Sequence, residues 1–241
     1  MKPSGAPNGR LKRNIPNSVT VLSLCSGLTS LRMTLTDQLE PAIYLILIAV
    51  VLDGLDGRMA RFLNAESKFG AELDSLADFL CFGIAPGLLL YRFIFDGTAM
   101  AGVGWAAVLF LVVCCMLRLA RFNVSTPETS GEGKPVFVGV PAPAVAFLAL
   151  MPIYLLQSGL EPGPFFQVFF TLYLVGIGLL AISRIPTFSP KMLRLRRKHM
   201  RLMPFAFAAA VVLVLSFYWY AFTFIAIIYL ISLPLLATRY K

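Results

Sequence analysis

An all-α, polytopic membrane protein of about eight transmembrane helices is the fold class this sequence predicts, and three observations predict it. Only 14% of the 241 residues are charged and the mean hydropathy is +0.79, against about 25% charge in an ordinary soluble domain. Eight apolar stretches each approach the ~20 residues needed to cross a bilayer. The basic residues are distributed to one side of those stretches. An ordinary soluble globule, a disordered chain, a collagen and a disulfide scaffold are excluded by the same composition.

The spans follow one another with little between them. The first, 15–36, comes after a polar, basic segment (1–13) with no small-residue cleavage site, so it reads as a retained span and not a signal peptide. Arg10–Arg13 are expected to lead into a short interfacial helix. Spans 41–63 and 71–94 are joined by a short connection and so are antiparallel neighbours. Spans 98–118, 140–158 and 164–183 follow. The last two, 202–217 and 220–237, are separated only by the aromatic turn Phe217–Tyr220, and a merged or re-entrant pair is the alternative reading. Pro16, Pro41, Pro86, Pro141 and Pro143 fall near helix ends or kinks. Eight spans consume about 160 residues, which leaves no room for a soluble domain.

Charge sets the orientation. With the N-terminus in the cytoplasm, every Lys and Arg except Arg32 and Arg92 falls on a cytoplasmic segment, while Asp37, Glu40, Asp96 and Glu161 occupy the outer loops. That asymmetry predicts an even number of spans with both termini cytoplasmic. The net charge of +9 therefore speaks to topology and anionic lipid headgroups, and no nucleic-acid partner is expected. The run Lys191–Arg201 is expected on the inner leaflet. Cys25, Cys81, Cys114 and Cys115 all lie in apolar runs without metal-ligand spacing, and His199 has no partner residue nearby in sequence.

The chemistry is concentrated in one window, VLDGLDGRMARFLNAESKFGAELDSLADFL from Val51. Asp53 and Asp56 are three residues apart and share a face of the second span; Asp74 and Asp78 are four apart and share a face of the third. Asp53 lies roughly 13 Å from the cytoplasmic end of its helix. A charged Asp at membrane depth costs about 2.5–3.5 kcal/mol, so four unpaired would cost about 10 kcal/mol or more. Divalent cations would offset this, and an all-carboxylate donor set selects hard ions, Mg²⁺ or Mn²⁺. Two such ions about 3.5–4 Å apart form the usual clamp for phosphoryl transfer. Gly54, Gly57, Ala60 and Gly70 permit close approach of a backbone or a diphosphate, and Arg61 can meet phosphate oxygens through two hydrogen bonds. Spacing alone leaves an ion-paired polar seam or a cation or proton pathway open as the other reading.

The window D-x2-D-G-x2-A-R-x8-G-x3-D-x3-D (Asp53, Asp56, Gly57, Ala60, Arg61, Gly70, Asp74, Asp78) resembles the signature of the CDP-alcohol phosphatidyltransferases, with every fixed position filled. Within that family the stretches IPNSVTVLSLCSG (15–27), LDSLADFLCFGIAP (73–86), LRLARFN (117–123), FVGVPAPA (137–144) and SRIPTFSPK (183–191) are most similar to the bacterial phosphatidylserine synthases. The run Ser75–Leu76–Ala77–Asp78–Phe79 departs from that of the phosphatidylglycerophosphate branch. The resemblance implies a membrane catalytic domain over 14–191, preceded by the basic segment 1–13 and followed by a basic loop and two helices over 192–241.

It also implies an activity: the hydroxyl of L-serine attacks the β-phosphorus of CDP-diacylglycerol, giving phosphatidylserine and CMP. By position, Asp53, Asp56, Asp74 and Asp78 would hold two Mg²⁺ or Mn²⁺ ions, with Asp78 also the general base. Asn17, Thr20, Asp53, Gly57, Ala60, Arg61, Ser67 and Gly70 would contact CDP. Arg118, Arg121, Asn123 and Lys134 are candidates for the acceptor or the lipid phosphate, an ordinary basic flank being the plain alternative; Arg184, Pro186 and Ser189 could face the same cavity. The resemblance further implies a homodimer in contact with membrane lipids, in a bacterial inner membrane with a polar cavity open to the cytoplasm. Inositol, inositol phosphate, glycerol 3-phosphate or choline in place of serine would leave the same motif, and a cation or proton transporter is the rival of a different class.

Overall fold

The computed structural model describes residues 7–125, 140–163, 165–183 and 216–239, with side chains over 14–124, 140–163, 165–183 and 216–233. These residues form helices α1 (Pro7–Leu35), α2 (Leu39–Phe62), α3 (Lys68–Phe95), α4 (Ala101–Ser125), α5 (Ala142–Gln157), α6 (Phe166–Ile182) and α7 (Tyr218–Arg239), with no strand among the described residues. They correspond to the first six expected spans and the last. The seventh, 202–217, lies outside the described residues but for its final two positions.

By length and composition Asn14–Leu35, Lys68–Phe95 and Ala101–Val124 are able to cross a membrane, while α5, α6 and Tyr218–Leu233 are shorter apolar helices. The charges of Asp53, Asp56, Arg58 and Arg61 keep α2 outside both groups. Large apolar side chains stand exposed around the bundle, among them Leu22, Val51, Leu109, Leu172 and Ile228. So much exposed apolar surface belongs in lipid. The chain is an integral membrane protein.

Three features depart from the sequence reading. First, α1 starts at Pro7, so the expected interfacial helix is not a separate element; it runs unbroken into the first span through the buried Pro16. Second, α3 widens into π-helical turns over Phe79–Ile84 and Tyr91–Phe95. The first of these precedes Pro86, which cannot donate to the carbonyl of Phe82 and whose ring would clash with it in a regular α-helix. Third, α5 breaks at Leu150 into Ala142–Ala149 and Met151–Gln157, with Pro152 opening the second half. Pro152 sits where its missing N–H costs nothing.

The site-bearing hairpin is held to α1 by a stripe of hydroxyls. Ser23 donates to the Ala49 carbonyl at 3.1 Å, Ser26 to that of Leu45 at 2.7 Å and Ser30 to that of Ala42 at 2.8 Å. Ala42 and Ala49 are fully buried, so the two backbones approach closely. Each such bond is worth about 0.6 kcal/mol in a membrane interior. On the other side of α1, Gly27 meets α3: a Cβ there would lie 2.5 Å from Cys81 Sγ. The remaining core is apolar, built around Ile43, Leu89, Phe95, Leu111, Leu148 and Leu174.

Polar contacts sort the two ends of the bundle. Arg92 bonds Asp37 at 2.8 Å and also Asp96, tying the α1–α2 and α3–α4 connections together. Tyr220 donates to the Ser158 carbonyl at 2.9 Å and Tyr218 to Glu40 at 3.4 Å, bringing the start of α7 and the end of α5 to the same end. The C-terminal half of α2 and the start of α3, with their aspartates, occupy the opposite end.

Candidate active site

Helical spacing brings the carboxylates together as α2 and α3 run antiparallel. Asp53, Asp56 and Asp74 each offer an oxygen, all within 4.8 Å of one another. Asp56 is buried and accepts a hydrogen bond from Thr20 Oγ1 at 2.7 Å. Thr20 is thus a support for a carboxylate, beyond the nucleotide contact expected of it. Asp78, one turn beyond Asp74, comes within hydrogen-bond reach of Asp53. Among the described residues none of these four is in a salt bridge; the ion pairs there belong to Arg92. Three converging carboxylates with no paired cation form a hard, all-oxygen donor set of the kind that holds a divalent ion. The residues present therefore fit a metal ion.

Beside this group opens a cavity of about 550 Å³. Seven of the eight residues expected to contact nucleotide line it: Asn17, Thr20, Gly57, Ala60, Arg61, Ser67 and Gly70. Asp53, the eighth, is not in that lining and stands with the carboxylate group. Asp56 and Asp74 belong to both, so the cavity and the donor set share a wall. Local structure explains the lining. Ser67 caps α3 by accepting from the Gly70 N–H at 3.0 Å, which aims the positive end of that helix into the cavity. A Cβ on Gly70 would meet Asn17 Oδ1 at 3.0 Å and Ser67 Oγ at 3.1 Å, so a side chain there would press on both. Gly57 has nothing within 4 Å of where its Cβ would be and leaves a bare helix surface toward the cavity. Gly54 is equally open, which gives it no close helix contact.

The CDP-alcohol phosphatidyltransferase family model matches residues 13–182. The chain belongs to the CDP-alcohol phosphatidyltransferase family. Relatives named CDP-diacylglycerol–serine O-phosphatidyltransferase include those of Mycobacterium leprae (45% identical over 175 residues, 71% of this chain and 57% of the relative), Mycobacterium bovis (40% over 188 residues, 76% and 64%) and Helicobacter pylori (36% over 176 residues, 70% of each). The chain thus spans about 57–64% of the length of the mycobacterial relatives it matches. All eight positions of the family-type signature fall on α2 and α3, in the carboxylate group or the cavity wall. Helix α7 lies beyond the match.

The acceptor candidates diverge. Arg118 on α4 is half-buried and lies in electrostatic reach of Asp78, and its buried Nε has no hydrogen-bond partner. Arg121 instead reaches the Ser183 carbonyl at 3.5 Å, toward the end of α6. Asn123 accepts from Ser75 Oγ at 3.0 Å and donates to Glu72 at 3.4 Å, fastening α4 to α3. Lys134, Arg184, Pro186, Ser189 and the run Lys191–Arg201 with His199 lie outside the described residues. The structure adds Pro16, Ala65, Glu66, Lys68 and Ala71 to the cavity. Glu66 and Lys68 were visible as charges beside the Ser67 cap, but nothing in their spacing marked them. Tyr229 on α7, in reach of Arg118, had no local signal at all.

Proposed function

We propose that this chain transfers the phosphatidyl group of CDP-diacylglycerol to the hydroxyl of L-serine, releasing CMP and forming phosphatidylserine. The observation that carries the chemistry is the three-carboxylate group sharing a wall with a cavity that is otherwise basic and amide-lined. The choice of serine is supported by the names of the relatives.

In this reading Arg61, Lys68 and the first N–H groups of α3 hold the diphosphate, since cations and a helix N-terminus both favour anions. Gly57 and Ala60 let it approach the helix surface. Asp78 accepts the proton of the serine hydroxyl as its oxygen forms the new bond to the β-phosphorus, and the bond from that phosphorus to CMP breaks. Two Mg²⁺ or Mn²⁺ ions, held by Asp53, Asp56 and Asp74 with Asp78 alongside, would neutralise the charge that develops on the phosphate and the leaving oxygen. Thr20 fixes the rotamer of Asp56 for that duty. The water-soluble groups reach the cavity from the cytoplasm, both termini lie on that side of a bacterial inner membrane, and the chain works as a homodimer among membrane lipids.

The test is a transfer assay on detergent-purified protein with CDP-diacylglycerol, labelled serine and Mg²⁺ or Mn²⁺, run beside Asp78→Asn. Metal-dependent phosphatidylserine and CMP from the native chain, lost in the variant, is the expected result. CMP released with inositol, inositol phosphate, glycerol 3-phosphate or choline but not serine would keep the chemistry and overturn the acceptor. No CMP from folded protein with any alcohol would return the aspartates to an ion pathway.

A further inference from the structure

We infer that Tyr229 of α7 acts with Arg118 to bind the carboxylate of the amino-acid acceptor, so that the C-terminal helix, outside the family match, completes the acceptor side of the site; this rests on the function proposed above.

Arg118 is an unusual residue to leave unsatisfied. Among the described residues it makes no hydrogen bond and no ion pair, and its Nε is buried. A guanidinium at membrane depth is costly unless its fork is met by an anion. The nearest acid is Asp78, which already faces Asp53. On its other side Arg118 is in electrostatic reach of Tyr229, whose phenol has no hydrogen-bond partner among the described residues. An unpaired fork and an unpaired hydroxyl donor beside the proposed general base make a recognition surface for a carboxylate.

The chemistry of serine matches this placement. Its hydroxyl must lie against Asp78 to lose a proton, and its carboxylate is attached one carbon further along. Whatever binds that carboxylate must therefore stand next to Asp78, where Arg118 is. The fork supplies two parallel hydrogen bonds and the phenol a third. Helix α7 is fixed to do this: Ala226 and Leu233, on the same face as Tyr229, are 0% and 3% exposed, whereas Ile225, Ile228 and Ile231 point outward. Tyr229 is thus the hydroxyl-bearing residue of an inward face that is otherwise apolar there.

The experiment measures steady-state kinetics of the full-length chain and of Tyr229→Phe, with serine and with serine methyl ester, which keeps the hydroxyl and ammonium but has no carboxylate charge. Phe keeps the ring and loses only the donor. The expected result is a KM for serine raised about tenfold, the size of one charge-assisted hydrogen bond, with the KM for CDP-diacylglycerol and kcat within about twofold of native. The ester should respond to the substitution far less than serine does, because the group that Tyr229 contacts is gone. Arg118→Lys, which keeps the charge and loses the fork, should raise the serine KM further. An unchanged serine KM in Tyr229→Phe, or equal losses for serine and ester, would overturn the inference while leaving serine as acceptor. A native chain that makes no phosphatidylserine would overturn the underlying reading instead. An unaltered CDP-diacylglycerol KM serves as the check on folding, and Tyr229→Met provides a second donor-free variant should Phe perturb the helix.

Discussion

One wall of the site takes its carboxylates, glycines and arginine from residues 53–78, a single antiparallel hairpin braced by α1; the opposite wall takes Arg118 from α4 and Tyr229 from α7. On the first wall, neighbours in sequence are neighbours in space, because i,i+3 and i,i+4 positions stack on a helix face and a short connection folds one face onto the other. On the second, residues adjacent in sequence do different work: Arg118 faces Asp78, Arg121 the end of α6, and Asn123 the start of α3. Chemistry built from local spacing can be read as a motif, while chemistry assembled by tertiary packing cannot.

The largest expected effect breaks the first wall. Asp74→Asn removes one of three converging carboxylates and should lower CMP release about 10³-fold, comparable with or exceeding the loss of a single transition-state donor. EDTA should do the same to the native chain, with Mg²⁺ or Mn²⁺ restoring it. Arg121→Gln, on the other wall, should cost less than tenfold. Similar losses in both would show that the walls are equally committed to catalysis and undo the distinction.

Two glycines on the first wall sharpen it next. Gly57→Leu projects into the open cavity, where nothing lies within 4 Å of the new Cβ. It should fold with native thermal stability and raise the KM for CDP-diacylglycerol by about tenfold, the equivalent of roughly 1.4 kcal/mol of lost binding. Gly27→Ala reverses the pattern. Its Cβ would sit 2.5 Å from Cys81 Sγ and 2.9 Å from Leu80, so overpacking should cost about 1–3 kcal/mol of stability. The KM for CDP-diacylglycerol should hold. Thermal melts in detergent and substrate titrations separate the two.

The same contrast explains what was legible in the sequence. Spans one to six and eight were readable from hydropathy, and the carboxylate group and seven of eight cavity contacts from motif spacing. The π-turns of α3 and the break in α5 were not, because a proline announces a lost hydrogen bond without saying whether the helix will widen or break. The hydroxyl stripe Thr20, Ser23, Ser26, Ser30 was present at helical spacing, but its partners are backbone carbonyls and an aspartate that only the α1–α2 crossing supplies. Tyr229 was invisible for the same reason as the divergence of Arg118 and Arg121: both depend on which helices are neighbours.

Within that stripe the first hydroxyl should differ from the last. Thr20→Val removes the donor to Asp56 at constant shape and should raise the metal concentration for half-maximal activity about tenfold, the lower range for a residue supporting a ligand. Ser30→Ala removes a bond to the Ala42 carbonyl only, and should cost about 0.6 kcal/mol of stability with no change in metal response. Identical metal titrations for the two variants would mean that Asp56 needs no support from α1.

The smallest effect belongs to the end of the bundle away from the aspartates. Arg92 bonds Asp37 at 2.8 Å and also Asp96, with its side chain 39% exposed. Ion pairs this open to solvent gain little, because water screens the attraction and ordering long side chains opposes it. Arg92→Gln should therefore leave both KM values and kcat native. Any fall in the melting temperature should be slight and should shrink as salt is added, since the native pair is itself weakened by screening. A clear loss of activity would mean that tying together the α1–α2 and α3–α4 connections sets the geometry of α3 along its whole length. The carboxylate wall would then depend on its far end as well as on its own spacing.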